Sequence, residues 1–267
     1  MQAQQKIQGG GGARRLVAVA LAAALAAGST FAGAQSADER AAAREVASKR
    51  GDAVVMILAT VKLQLNVGGR EQSQDRPVQT NATVLDGTGL AVTSLSQLQP
   101  DDMLMRTFSA QMPPGTSVSV TSEPSDVKMH LADGREIPAR IVLRDADLDL
   151  AFLKPSDPLT SPIPAIDGPT GRLVLMDPLL VLQRTNEATG WKMAASLGQV
   201  QLILDKPRTY YQVAIATLGS NGLGSPLFDT KGGFVGVFVM RSTGPRTPGT
   251  LGVLAADDIR DIAKQVK

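Results

Sequence analysis

Short apolar runs separated by turn-forming residues recur along this chain and limit the folds that it can adopt. Gly, Pro and Asp bound these runs, and most of them are only four to seven residues long. Many short strands at regular spacing are typical of a β-sandwich or β-barrel, so the pattern predicts an all-β fold. The predicted strands are 54–65, 82–85, 90–93, 118–121, 127–131, 137–143, 150–153, 173–175, 179–183, 198–204, 210–216 and 234–240.

Two helices are predicted at the ends of the domain. Residues 36–50 are rich in Ala and charged side chains without a wide apolar face, which indicates a short solvated helix leading into the domain. Residues 257–267 place apolar side chains on one helical face, as expected for a helix that closes a barrel. The Pro-rich stretch 154–170 is the predicted connection between two β-subdomains.

The N-terminus has the pattern of a secretory signal peptide. Lys6, Arg14 and Arg15 precede the uncharged apolar run 16–27, which gives way to small residues ending at Ala34. A bilayer span needs about 20 apolar residues. The shorter run therefore favours cleavage before residue 35 over anchoring to the membrane through an uncleaved signal. The chain is predicted to be exported to the periplasm or the extracellular space.

The charge balance argues against a nucleic-acid partner. The predicted signal carries three of the 27 Lys and Arg residues and none of the 25 Asp and Glu residues. The rest of the chain is therefore close to neutral. Aromatic residues make up only 3% of the sequence, so a basic surface with stacking aromatic side chains is not expected.

The composition excludes several kinds of chemistry. The chain has no Cys, so a Cys nucleophile, a disulfide and a zinc-thiolate cluster are all impossible. It has a single His, which cannot supply the several imidazoles of a His-rich metal site. We therefore predict no metal and no cofactor. Any catalysis that depends on an imidazole must use His130, which is expected instead to be a strand residue with an ordinary hydrogen bond.

Three sequence blocks carry a resemblance to a known family. Residues 127–154 contain a strand, an Ala-Asp-Gly turn, a second strand and an Asp-Leu-Ala stretch. Residues 82–98 contain a Gly-Leu-Ala-Val-Thr strand, and residues 222–237 contain Gly-Ser-Pro-Leu followed by a hairpin. In this order and spacing, the blocks resemble the HtrA/Deg family of trypsin-like serine proteases. Together they cover most of residues 52–266.

The resemblance implies an all-β fold, namely a trypsin-like double β-barrel with a C-terminal helix. The expected organisation is a signal peptide over 1–34, a helical lead-in over 35–51 and the barrel domain over 52–267. Its two subdomains are expected at about 52–155 and 170–267. The chain ends directly after the helix that is expected to close the second barrel, so no PDZ domain is expected.

Carried over position by position, the resemblance implies that the protease chemistry has been lost. Asp149 matches the triad aspartate, whereas Ser96 stands at the histidine position and Leu223 at the nucleophile position. A serine hydroxyl cannot act as the general base, and leucine offers no nucleophile. Loss of either group in a serine protease costs on the order of 10⁶ in kcat. The expected protein is a pseudoprotease, in which Asp149 is a relic or a structural acceptor for backbone N–H groups or the Ser96 hydroxyl.

An alternative interpretation keeps the activity. Ser220 and Ser225 flank the nucleophile position, and Lys231 is the nearest candidate base for a Ser-Lys dyad. The protein would then be a serine-type endopeptidase of the HtrA family with a displaced catalytic site. In a third interpretation it is a subunit that pairs with an active protease as a decoy or regulator.

Two regions are candidates for binding a peptide or protein partner, such as an active protease or another envelope protein. The first is the remnant of the oxyanion loop at Asn221, Gly222 and Gly224, where a carbonyl or carboxylate would bind.

The second region is a long loop over 98–117, which contains Met103, Met105, Phe108 and Met112. Flexible thioethers suit adaptable binding surfaces, and loops of this length are often functional. The alternative is that these side chains only cap the open end of the first barrel.

Overall fold

Strands account for most of the regular structure in the computed structural model, which describes residues 36–111, 116–215, 218–219, 221–241 and 249–266. The predicted signal over 1–34, Met112 and Ser220 lie outside the described residues. The helices are α1 (Ala37–Arg50), α2 (Leu95–Leu98), α3 (Asp101–Gln111) and α4 (Ala256–Ala263). The strands are β1 (Val54–Val67), β2 (Arg70–Val84), β3 (Ala91–Ser94), β4 (Val118–His130), β5 (Glu136–Asp145), β6 (Leu150–Pro155), β7 (Pro178–Arg184), β8 (Met193–Leu204), β9 (Tyr210–Ile215), β10 (Pro226–Asp229), β11 (Phe234–Arg241) and β12 (Thr250–Ala255).

The strands form two closed antiparallel barrels. The first follows the order β1-β2-β3-β6-β5-β4, and the second follows the order β10-β11-β12-β9-β8-β7. Closure pairs the first and last strands of each set, so side chains that point inward along every strand fill one interior. The predicted all-β double barrel with a C-terminal helix is confirmed.

By contact density the chain divides into Met1–Arg40 and Ala41–Lys267, and both barrels belong to the second unit. Of the first unit, the structure describes only the start of α1. There Ser36 Oγ accepts the backbone N–H of Glu39, and a Glu39 carboxylate oxygen accepts the N–H of Ser36. This reciprocal pair is a capping box, and it explains why the Ala-rich segment begins its helix here.

Three groups of buried apolar side chains hold the second unit together. One fills the first barrel, and another fills the second. The third lies between the barrels, where Phe152 from β6 meets Phe228 and Phe234 from the second barrel. Ile259 and Ile262 of α4 complete this interface. Each of these fully buried side chains contributes about 1.5–3 kcal/mol by leaving water, so the barrels are tightly joined.

A buried polar connection also joins the barrels, centred on Arg184 at the end of β7. Its guanidinium donates to the carbonyl oxygens of Val54, Gly51 and Trp191. Burial lowers the pKa of Arg184, and the nearby Asp52 carboxylate opposes that shift. The Asn81 side chain accepts the N–H of Arg184 and donates to its C=O. The end of β7 is therefore fixed against the start of the first barrel.

Several sequence-based boundaries were wrong. The predicted strands 118–121 and 127–131 are one strand, β4, and residues 173–175 are not a strand. Strand β12 was not predicted, and β10 was expected only as part of the hairpin within residues 222–237. The region 98–117, predicted as a loop, contains the helix α3. Two aspartates in its first turn favour a helix at this place, because negative charge stabilises a helix N-terminus.

Among the described residues, no helix has both the length and the apolar character that a membrane span requires.

Candidate functional site

Asp149, the residue at the predicted position of the triad aspartate, lies where two strands of the first barrel end together. Strand β3 pairs with β6, and its last residue, Ser94, is opposite Leu150. Asp149 directly precedes Leu150, and its C=O accepts the N–H of Leu95 at the start of α2. We call Ser94, Ser96 and Asp149 the acid corner. The strand register brings Asp149 into contact with Ser94 and Ser96 although it lies more than 50 positions after them in the chain.

Four donors surround the Asp149 carboxylate. The Ser94 hydroxyl donates to Oδ2 at 2.5 Å, and the Met240 N–H donates to the same oxygen at 2.6 Å. The Ser96 N–H donates to Oδ1 at 2.6 Å, and the Ser96 hydroxyl lies 3.4 Å from Oδ2. Asp149 thus accepts backbone N–H groups and the Ser96 hydroxyl, as expected of a structural acceptor. The Ser94 contact and the Met240 contact were not predicted.

The carboxylate is buried, with Asp149 only 6% exposed. Burial raises the pKa of Asp149, and the hydrogen bonds from Ser94, Met240 and Ser96 oppose this shift. The backbone of Asp149 has a positive φ of 58°, a conformation that few non-glycine residues adopt. The carboxylate therefore occupies a specific, fully bonded place. No imidazole contributes to it among the described residues.

The loop at the nucleophile position belongs to the second barrel but rests on the first. We call residues 221–225 the nucleophile loop. The Thr80 hydroxyl donates to the Leu223 C=O at 3.2 Å, and the Thr83 hydroxyl donates to the Gly224 C=O at 3.0 Å. The half-buried Leu223 side chain packs against the core of the second barrel. The loop is thus fixed at both its backbone and its side chain.

Gly224 is the residue that permits this close approach. Its φ is +81°, and a Cβ at this position would lie 2.0 Å from the C=O oxygen of Asn81. No other residue type fits, because a side chain would meet the backbone of β2 and would also disfavour the positive φ. The glycine of the Gly-Ser-Pro-Leu block, which carries part of the family resemblance, is thus required for steric reasons.

Strand β11 connects the acid corner with the nucleophile loop. Its Met240 N–H donates to Asp149, and its Phe238 C=O accepts the N–H of Gly224 at 2.8 Å. Both groups lie on one strand, two residues apart. Ser96 and Asp149 are therefore in direct contact. Strand β11 contacts both Asp149 and the nucleophile loop.

The backbone groups of the oxyanion-loop remnant are largely engaged within the protein. Gly222 N–H donates to the Gly219 C=O at 2.9 Å, and Gly224 N–H donates to Phe238. The Asn221 C=O accepts from the Asn81 side chain at 2.8 Å. A ligand carbonyl would have to displace one of these internal bonds to reach Gly222 or Gly224. Binding at Asn221, Gly222 and Gly224 stays a prediction.

Of the displaced catalytic site, the structure describes Ser225 and Lys231, and these two residues are not placed to act as a nucleophile and its base. Ser225 is fully buried, and its hydroxyl has no hydrogen-bond partner among the described residues. Lys231 lies exposed in the turn between β10 and β11. A nucleophile must reach both its base and the substrate, which a buried serine and a solvated lysine do not. Over the described ranges, no group of three or more potential metal-ligating side chains is present.

His130 takes part in a stacking contact between the barrels. It is buried at the end of β4, and its ring lies 4.6 Å from the Trp191 ring at an interplanar angle of 28°. The ordinary hydrogen bond expected for this histidine is absent at Nδ1, which has no partner in the described part of the chain. The stack on Trp191 is a further contact of the His130 ring.

The predicted partner loop is mostly helical. Met103 is 46% exposed on α3, whereas Met105 and Phe108 are half-buried. Helix α3 is fixed to β4 by a hydrogen bond from the Ser122 hydroxyl to the Asp101 carboxylate. The Met103 side chain is thus presented to solvent on a regular element.

Two packed six-stranded barrels and a retained acid corner define a trypsin-like fold. The sequence matches the model of the trypsin-like peptidase domain family over residues 73–237. This match spans more than half of the chain, and the chain belongs to that family. A comparison with curated proteins finds no significant match.

Solved structures of an HtrA-type protease share the fold. The chain is similar to the HtrA-type protease AlgW with a tripeptide, with a TM-score of 0.55 and 17% identity over 84% of this chain and 62% of that chain. A substituted form of AlgW, also with a tripeptide, gives a TM-score of 0.53 and 16% identity over 84% of this chain and 63% of that chain. This chain therefore spans about three fifths of the proteins it matches. The resemblance to HtrA-type proteases is confirmed at the level of fold.

Proposed function

We propose that this protein is an exported, catalytically inactive HtrA-like pseudoprotease that holds a peptide or protein ligand as a scaffold in the cell envelope. The observation that carries the proposal is the bonding of Asp149. Its carboxylate accepts from Ser94, Ser96 and Met240 and has no imidazole to orient. Because the triad needs a base between its acid and its nucleophile, this bonding supports a structural acid.

Two further observations support the loss of activity. At the nucleophile position Leu223 has a side chain that packs on the second-barrel core. The neighbouring Ser225 hydroxyl is fully buried. Export is supported by the sequence pattern of residues 1–34, which places a basic segment before an apolar run and small residues.

The proposal is tested with the full chain and a fluorescein-labelled casein. We expect no cleavage beyond the buffer rate and an increase in casein anisotropy on binding. Casein cleavage that is blocked by Ser225→Ala would establish the displaced endopeptidase instead. Absence of both cleavage and binding would contradict the peptide-binding role. The remaining interpretation would then be a decoy subunit. That interpretation is tested by measuring whether this chain forms an oligomer with an active protease.

The export part of the proposal has a separate test. N-terminal sequencing of the protein from the periplasm or the medium of an expressing bacterium should begin at Gln35. A cytoplasmic protein that retains Met1 would contradict export. Release of the protein from membranes by high salt, without detergent, would support a cleaved signal. A protein anchored through an uncleaved signal would need detergent for its release.

A further inference from the structure

The long hairpin formed by β1 and β2 leaves one sheet edge open. Strand β2 pairs with β1 along its full length, from Arg70 opposite Val67 to Thr83 opposite Val54. On its other side, β2 pairs with β3 only at Thr83 and Val84. Within the described ranges, no further strand pairs with the first half of β2. Residues 70–77, which we call the open edge, are exposed throughout.

The outward-pointing backbone groups of this edge can be assigned from Asn81. Its N–H donates to the Asn221 C=O, and its C=O accepts the Thr93 hydroxyl, so both groups point away from β1. In an antiparallel strand, the N–H and C=O of every second residue point to the same side. The β1–β2 register contains no shift. The odd-numbered residues of β2 therefore point their backbone groups outward.

The open edge consequently offers a short hydrogen-bonding ladder. Glu71, Ser73 and Asp75 each present an outward N–H and C=O. Pro77 is the next odd residue and has no N–H, so it ends the row of donors. An added strand would therefore find three complete donor–acceptor positions along 71–75. This length suits a bound segment of about seven residues.

The charged side chains of the open edge are sorted by face. Because side chains alternate across a strand, Glu71 and Asp75 lie on one face of the sheet, and Arg70 and Arg76 lie on the other. None of the four forms an ion pair within the described residues. Asp75 is opposite Lys62 in the β1–β2 register. The four charges remain available to a strand added on the outer side.

A second copy of this edge does not fit well. Antiparallel self-pairing centred on Ser73 would place Arg70 opposite Arg76 and Glu71 opposite Asp75. Like charges directly opposite each other destabilise a strand pair. Charged side chains and proline at edges commonly prevent such self-association. In the register that pairs the two edges over their full length, the charge pattern therefore favours a strand of different sequence over a second copy.

We propose that residues 70–76 bind an extended peptide segment of a partner protein as an additional antiparallel strand. The complementary segment has an acidic residue at each end, a basic residue next to each end and three uncharged residues between them. Its acidic residues lie opposite Arg70 and Arg76, and its basic residues lie opposite Glu71 and Asp75. Backbone hydrogen bonds supply the affinity, and the charge pattern supplies the selectivity. The site is separate from the former protease cleft and does not depend on whether that cleft is active.

The first test compares two labelled peptides by fluorescence anisotropy with the full chain. The complementary peptide is Glu-Lys-Thr-Val-Thr-Lys-Glu with blocked ends, and its control, Lys-Glu-Thr-Val-Thr-Glu-Lys, has the same composition and net charge. We expect at least about tenfold tighter binding of the complementary peptide, since four opposite-charge pairs replace four like-charge pairs. The difference should shrink as salt rises. Equal binding of the two peptides, or no binding of either, would overturn the proposal.

The second test reverses the edge. The fourfold variant Arg70→Glu, Glu71→Lys, Asp75→Lys, Arg76→Glu should prefer the control peptide by a similar factor, with an unchanged circular dichroism spectrum because all four side chains are exposed. Retention of the original preference would overturn the proposal.

A variant that changes the backbone distinguishes the contribution of the hydrogen-bonding ladder to peptide binding from that of the charged side chains. Ser73→Pro removes one outward N–H and leaves the bonds to β1 intact, so peptide binding should weaken by about tenfold or more, whereas Ser73→Ala should bind normally. Equal binding by a folded Ser73→Pro variant and the Ser73→Ala control would argue against strand addition.

Discussion

The acid corner and the nucleophile loop differ in what the fold uses of each, a side chain in one and a main-chain conformation in the other. At the acid corner the carboxylate of Asp149 is retained, and protein donors now saturate it. At the nucleophile loop Leu223 stands at the predicted nucleophile position, and the backbone at Gly224 approaches β2 closely. One region keeps a side chain and the other keeps a main-chain conformation. In each, the retained part is the one that contacts a neighbouring element.

This difference indicates what the fold itself requires. Asp149 connects the first barrel to β11 through Met240, and Gly224 lets the second barrel approach β2. Both contacts join the barrels, whereas a triad imidazole and a serine hydroxyl serve only the reaction. If this account is correct, substitutions at the retained groups should damage stability, and substitutions at the replaced positions should not.

The largest effect is expected at Gly224. Gly224→Ala adds a Cβ 2.0 Å from the Asn81 C=O at a φ of +81°. Backbone strain and steric overlap together should lower the free energy of unfolding by on the order of 4 kcal/mol. Gly134→Ala is the matched control, since its φ is +87° and its Cβ would meet no atom within 4 Å. The control should lose only about 1 kcal/mol in urea unfolding, and equal losses would contradict the steric account.

A smaller but substantial loss is expected when the buried carboxylate is removed. Asp149→Ala leaves the donors of Ser94, Ser96 and Met240 without an acceptor, which should cost about 3 kcal/mol. Asp147→Ala changes an exposed aspartate in the same turn and should alter stability by less than about 0.5 kcal/mol. Urea unfolding of both variants measures the difference. A stable Asp149→Ala protein would mean that the carboxylate is a relic.

The pH dependence of stability tests the environment of the same carboxylate. Burial raises the pKa of Asp149, so the native state binds its proton more tightly than the unfolded state does. The stability linked to this group is greatest at low pH and is lost as the pH rises from the ordinary aspartate pKa of about 4 through the raised folded value. The advantage of the wild type over Asp149→Asn should therefore shrink between pH 4 and pH 7. An advantage that grows over this range would show that the hydrogen bonds outweigh burial.

The smallest effect is expected at the replaced nucleophile position. Leu223 is only half-buried, so Leu223→Ser should cost about 1 kcal/mol or less, and without a base it should not create casein cleavage. Leu227→Ser, at a fully buried position on β10, should cost several times more. A similar loss at the two positions would place Leu223 in the structural core rather than at a site released from function.

The frequent apolar runs and well-marked turns predicted an all-β sandwich or barrel, and the resemblance to the HtrA/Deg family then implied the double barrel. The polar stretch 63–80 is interpreted from the sequence as an exposed hairpin that only connects two strands, and the β1–β2 pairing confirms a hairpin there. The full length of β2 was not predicted, since Arg70–Gln79 shows no apolar alternation and becomes a strand only by pairing with β1. The helix α3 was read as a loop, although Asp101 and Asp102 gave a signal for its start. Long-range contacts were the hardest to predict from the sequence, because no local sequence pattern indicates that His130 stacks on Trp191.

At the candidate site, sequence comparison placed Ser96 beside Asp149, and their hydrogen bonds agree with that placement. The Ser94 hydroxyl is the nearest donor to the carboxylate and was missed, because its role depends on the β3–β6 register. The role of Met240 was also not predicted, since its donor is a backbone N–H, which the residue type does not indicate.

The absence of an activated serine is checked by the intact mass of the full chain after treatment with a fluorophosphonate probe. This reagent forms a covalent adduct with an activated serine. The account predicts an unmodified mass under conditions in which an active trypsin-like protease is fully labelled in the same tube. A stoichiometric adduct on any serine of this chain would contradict the account and establish a working catalytic site.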